Sequence, residues 1–101
     1  NFKAAAASAP WTQTPGFGVV LTDQAGKNSW PITGVSFILM HKVQADAAKA
    51  KEVLKFFDWA YKNGGPAAVE LDYVPMPASV VKLVQESWKA NLKDASGKAI
   101  Y

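Results

Sequence analysis

NSWPITGVSFILMHK, residues 28–42, is a nearly unbroken apolar run that ends in the only histidine of the chain. From position 30 its even residues are Trp30, Ile32, Gly34, Ser36, Ile38 and Met40, and its odd ones are Pro31, Thr33, Val35, Phe37, Leu39 and His41. Both sets are mostly apolar and rich in β-branched and aromatic types. Strands buried on both faces, as in α/β sheets, read this way, whereas a half-exposed hairpin strand alternates apolar with polar. Gly34 interrupts the run as at a bulge, a bend or a close backbone approach. A strand of this kind needs neighbours on its edges, because unpaired edges invite association.

Few neighbours are visible. Upstream, NFKAAAASA (1–9) has the helix propensity of an alanine run, with nothing before it to act as a cap. Pro10 and Thr14-Pro15-Gly16 break that pattern, GFGVVL (16–21) is a brief apolar run, and TDQAGKNS (22–29) is polar and turn-forming. Downstream, Asp46 can cap a helix over about 47–63, with Ala50, Val53, Leu54, Phe57, Ala60 and Tyr61 on one stripe. Phe56 and Trp59 widen that stripe, which predicts cover on more than one side. Asn63-Gly64-Gly65-Pro66 is a stop, with a glycine for a left-handed residue after the last turn. PAAVELDYVPM (66–76) reads as a loop with a short turn. Pro77 suits a first helical position, and a further helix over about 78–92 carries Val80, Val81, Val84, Trp88 and Leu92 on one face. The polar tail ends in Ile100-Tyr101, which can pack back. No internal repeat is present.

At 101 residues the chain is one domain at most, and half of it is hydrophobic, a globular composition. It has no cysteine, so disulfides, thiolate metal sites and a cysteine nucleophile are excluded. The formal charge is +3, and all 11 basic residues are lysine, scattered along the chain. Without arginine, bidentate recognition of phosphate or guanine is excluded, and scattered lysines describe a solvated surface rather than a nucleic-acid footprint. No apolar run approaches the ~18 residues of a membrane span. The chain opens on Asn1 rather than methionine, which reads as a processed or partial chain.

Candidate chemistry is sparse. His41 with Asp46 and a nucleophile such as Ser36 would make a hydrolase, but the chain lacks a G-x-S-x-G elbow, and a strand-end histidine is usually structural. No second histidine or cysteine accompanies it as a metal ligand. Glu70 and Asp72 read as a solvated loop, and Asp58 stands alone. Gly64-Gly65 ends in Pro66, which lacks an N–H, so a helix stop is favoured over an anion nest. FFDWAY (56–61) lies at helical spacing, which favours packing over stacking on bases. No catalytic, metal or cofactor residue is assigned.

Four blocks carry a resemblance: SWPITGVSFILMHK, EVLKFFDWAYKNG, LDYVPMPASVV and WKANLKDASGKAIY. In order and spacing they resemble the C-terminal third of the periplasmic phosphate-binding proteins of the PstS type, which serve bacterial phosphate ABC transporters. The resemblance covers essentially the whole chain. It implies an α/β fold: a piece of a two-lobed type II periplasmic binding protein, with one or two strands and two to three helices. Residues 1–29 would end the second lobe, 30–42 would be the crossover strand between lobes, and 43–101 would be the helical closing part of the first lobe. The implied function is high-affinity binding of inorganic phosphate for delivery to the transporter permease, with no enzyme activity, no cofactor and no nucleic acid. The family's phosphate contacts are Gly-, Ser- and Thr-rich loops, an aspartate and an arginine in its earlier two thirds. Because this chain lacks arginine and those loops, no phosphate-binding residue carries over to it. Its open strand edges would also let copies associate. The alternative is a small self-standing protein-interaction module.

Overall fold

Asp46 opens the longest helix of the computed structural model, which describes residues 1–101. Its carboxylate accepts from the Lys49 N–H at 2.9 Å, and the helix runs Ala47–Asn63, as its caps and stripe predict. This helix is here called α2. The alanine run forms α1, Phe2–Ser8. It ends at Pro10, which can supply no N–H to a helix carbonyl. Two short 3-10 turns follow, Trp11–Gln13 and Pro15–Phe17. After α2 come α3, Gly65–Glu70, and α4, Ala78–Asn91.

Three of these elements depart from expectation in detail. The stretch read as a loop after Pro66 contains α3, with that proline in the first turn, where its missing N–H costs nothing. Gly64 does not turn left-handed; its φ is −78°, so the chain passes almost directly from α2 into α3. Glycine is needed there for a different reason: a Cβ would stand 2.7 Å from the Ala60 carbonyl oxygen. Pro77 precedes α4 as its N-cap and is not its first helical residue.

The stretch at 30–42 forms no strand in this structure. No backbone N–H between positions 32 and 42 donates to any group of the chain. The expected burial on both faces is also absent, since Leu39 is 92% exposed and Ile32 78%. The sheet that does form is two residues long: β1, Val43–Gln44, runs parallel to β2, Lys93–Asp94. It cannot grow back along 30–42, because the residue opposite Lys42 is Leu92 and the ones before it belong to α4. A helix offers no ladder, so the long apolar segment has no strand beside it.

Apolar side chains collect in two small cores. Ala6 and Ala9 of the first segment, Trp11, Val19, Leu21 and Val80 form one. Ala50, Leu54, Leu92 and Ile100 form the other. α4 serves both, with Val80, Leu83 and Val84 toward the first and Trp88 toward the second. The tail reaches the second core through a turn held by Asp94, whose Oδ1 accepts from the N–H groups of Ser96 and Lys98 at 2.8 and 2.9 Å. This returns Ile100, whose N–H donates to Leu92 at 3.2 Å. Only 12 of 101 residues are buried, and the body measures 46 × 30 × 17 Å. Its radius of gyration, 14.8 Å, exceeds the about 13 Å of a compact domain this long. The molecule is therefore a flat slab with many large apolar side chains exposed, Ile32, Leu39 and Trp59 among them.

Candidate functional site

The residues singled out for chemistry do not meet. His41 and Ser36 are exposed on the unpaired segment, and the only bond at His41 is from Gln44 Nε2 to its carbonyl at 2.7 Å. Asp46 is occupied as the cap of α2. Glu70 and Asp72 are exposed at the end of α3, and no group of three His, Asp or Glu side chains is placed to hold a metal ion. No helix is long and apolar enough to cross a membrane.

Two concave surfaces flank the 30–42 segment. The smaller, about 370 Å³, lies between α1 and the loop before α4, with Lys3, Thr33, Ser36, Asp72 and Tyr73 as its polar lining. It does not suit an oxyanion. Thr33 already donates its hydroxyl to the Trp30 carbonyl at 3.0 Å, and the lining carries the Asp72 carboxylate as well as Lys3. The larger, about 730 Å³, is a groove between the segment, α2 and α4. Phe37, Ile38, Met40, Phe57, Tyr61 and Trp88 make it chiefly apolar. No buried side-chain polar atom anywhere in the chain lacks a partner.

The best-built polar cluster is one that sequence reading passed over. Asp58 accepts from three side chains: Lys62 Nζ at 2.5 Å, Gln85 Nε2 at 2.7 Å and the Tyr101 hydroxyl at 3.0 Å. Lys62 is one turn away on α2 and was legible as an i,i+4 pair. Gln85 and Tyr101 are 27 and 43 residues distant, with no local signal. The cluster pins the tail to both long helices, and Trp88 meets Tyr101 edge to face at 5.1 Å. Its role is structural.

Lys62 first, then Tyr101 and Gln85, hold the Asp58 carboxyl below its ordinary 3.8. Ser96, Lys98 and the turn around them hold Asp94 below 3.8 as well. A carboxylate depressed in the folded state stabilises above its unfolded pKa, and that contribution is lost as pH falls through the folded value. Burial, and then the bond to Asp58, raise Tyr101 above 10.0, so its contribution is lost as pH rises through that higher value. We expect the tail to release at both extremes, as read from the Tyr101 ring resonances during titration. Asp58→Asn should weaken the acid transition and leave the Asp94 part. An acid limb unchanged in that variant would remove Asp58 from the account.

Fold and surface together define a class first. This is mixed helical material with a two-residue parallel sheet, in which the apolar segment 30–42 and an apolar groove lie at the surface. The chain's relatives are in keeping with that. Over all 101 residues it is 48% identical to the phosphate-binding protein PstS of Pasteurella multocida, covering 29% of that protein. It is 50% identical over 93 residues to PstS of Haemophilus influenzae and 43% over 93 residues to PstS of Xylella fastidiosa. Those alignments take in 92% of this chain, and 28% and 26% of the two proteins respectively. No family model matches. The chain thus matches PstS phosphate-binding proteins from end to end while spanning little more than a quarter of their length. The mixed helices and short parallel pair fit a piece of a periplasmic-binding-protein fold.

Proposed function

We propose that this chain is the closing part of a periplasmic phosphate-binding protein that delivers inorganic phosphate to an ABC importer, with the anion held by residues outside the chain. The end-to-end match to PstS proteins carries this reading. The chemistry of the residues supports the placement of the ligand elsewhere. The chain has no arginine, the Lys49 N–H in the first turn of α2 donates to the Asp46 carboxylate, and the smaller cavity holds a carboxylate of its own. Residues 1–29 then end the second lobe, 30–42 cross between lobes, and 43–101 close the first. The parent binds and releases by hinge motion and does no covalent chemistry.

Isothermal titration of the 101-residue chain with inorganic phosphate should show no binding, whereas a protein carrying this sequence at the full length of its relatives should bind it. Micromolar or tighter binding by the short chain would overturn the placement of the site. Absence of phosphate binding in the long protein would overturn the function. The same reading has a corollary for the chain alone: its open strand edge associates with other protein, including its own copies. The exposed, stacked Phe56–Trp59 pair, with centroids 6.4 Å apart, favours the alternative of an interaction module, and that would bind through α2 instead.

A further inference from the structure

We propose that Asn63 is a deamidation site that the fold keeps shut: the end of α2 holds the Asn63–Gly64 pair in a form that does not close a succinimide ring, and only opening of that turn lets the reaction run. Asparagine stands at positions 1, 28, 63 and 91, and only Asn63 precedes a glycine. Glycine has no Cβ, so the backbone nitrogen that follows the asparagine is unshielded. In the reaction the Gly64 nitrogen loses its proton to solvent base and bonds to Asn63 Cγ. The Cγ–Nδ2 bond breaks, and the side-chain nitrogen leaves as ammonia. Water then opens the ring at either carbonyl, giving aspartate or isoaspartate. One water is consumed, one ammonia is released, and no oxidant or metal takes part.

Three observations carry it. Position 63 is the last of α2, and ring closure requires the backbone there to leave helical geometry. The nitrogen that must attack is occupied: the Gly64 N–H donates to the Ala60 carbonyl at 2.8 Å, and the Gly64 carbonyl accepts from the Ala68 N–H at 3.0 Å, so this glycine is tied to α2 and α3 together. The leaving group is held as well, since Asn63 Nδ2 donates back along α2 to the Trp59 carbonyl at 3.0 Å. All of these bonds lie between positions 59 and 68, so they stand apart from the phosphate reading and from whatever else meets the chain. The vulnerable pair is also fixed by packing. Gly64 has no room for a Cβ, which would stand 2.7 Å from the Ala60 carbonyl oxygen. The reaction is one-way in its structural effect. Isoaspartate lengthens the main chain by a methylene, takes the donor from the Trp59 carbonyl and sets a carboxylate at the negative end of α2.

The test incubates the 101-residue chain at mildly alkaline pH, folded in buffer and unfolded in guanidinium chloride. Peptic peptides are mapped by mass, and isoaspartate is labelled with an isoaspartyl methyltransferase. Conversion at Asn63 should be slower in the folded chain by about tenfold or more, the ratio being set by the free energy of opening that turn. The Gly64 amide should show hydrogen-exchange protection of similar size, because one opening exposes both groups. Asn63→Gln keeps a side-chain amide but closes a larger ring far more slowly. It should abolish conversion in that peptide and leave the helical circular dichroism unchanged. Equal rates in the folded and unfolded chains overturn the protection. No conversion at Asn63 in the unfolded chain overturns the site itself. Slow conversion in the folded chain beside an unprotected Gly64 amide overturns the role of the turn. Conversion that persists in Asn63→Gln places the reaction on another residue and overturns the assignment.

Discussion

Leu54→Ala should unfold the half of the molecule built on α2 and the tail. Leu54 is fully buried, the largest side chain of which this is true. It joins Ala50 of its own helix to Leu92 and Ile100, so it is the only large residue α2 contributes to the second core. Removing a buried leucine costs about 2–5 kcal/mol, the lost transfer energy plus the cavity left behind. A whole domain usually has only roughly 5–15 kcal/mol in hand, and a chain with so few buried residues lies low in that range. Urea unfolding followed by far-ultraviolet circular dichroism should show the midpoint collapse toward zero denaturant. Trp59→Ala is the control: that residue is 58% exposed, and the change should stay within about 0.5 kcal/mol. A Leu54→Ala midpoint close to that of the parent chain would show that the second core does not hold α2 in place.

Trp11→Ala should do comparable damage to the first core, at a cost of about 3–5 kcal/mol. Two effects add at this residue. The ring is buried among Ala6, Ala9, Val19, Leu21 and Val80, and so ties α1 and the following loop to α4. Its indole N–H also donates to the Ala6 carbonyl at 2.7 Å. In a continuing helix that carbonyl would accept from the residue four positions on, but that residue is Pro10, which has no N–H. Trp11 therefore satisfies a carbonyl that the sequence itself left without a partner. Trp11→Phe keeps much of the packing and strands the carbonyl, for which about 1–3 kcal/mol is expected. Hydrogen exchange of the Trp11 indole, slow in the parent chain, checks the bond directly; fast exchange with an unchanged fold would dismiss it.

What could be read locally in the sequence is what local forces control. Asp46, the apolar spacing of 50–61 and the glycines after Asn63 mark α2 to the residue, because a helix is made of bonds between positions four apart and of caps one turn away. α1 and α4 follow to within a residue for the same reason. α3 was missed because six residues give too short a pattern to separate from a turn.

The sequence alone determined that 30–42 is apolar in both alternating sets and has few candidate partners, and it carried the likeness to phosphate-binding proteins through four blocks; the strand expected from that pattern does not form. Only the tertiary structure decided what those residues do in this chain: they stay unpaired, between two small cores, with Leu39 in solvent. It also decided that Asp58, a lone carboxylate in the sequence, gathers Lys62, Gln85 and Tyr101. The physical reason is the same in both cases. A helix carries its own hydrogen-bond partners in the next turn, whereas a strand or a carboxylate takes its partners from wherever the folded chain happens to bring them.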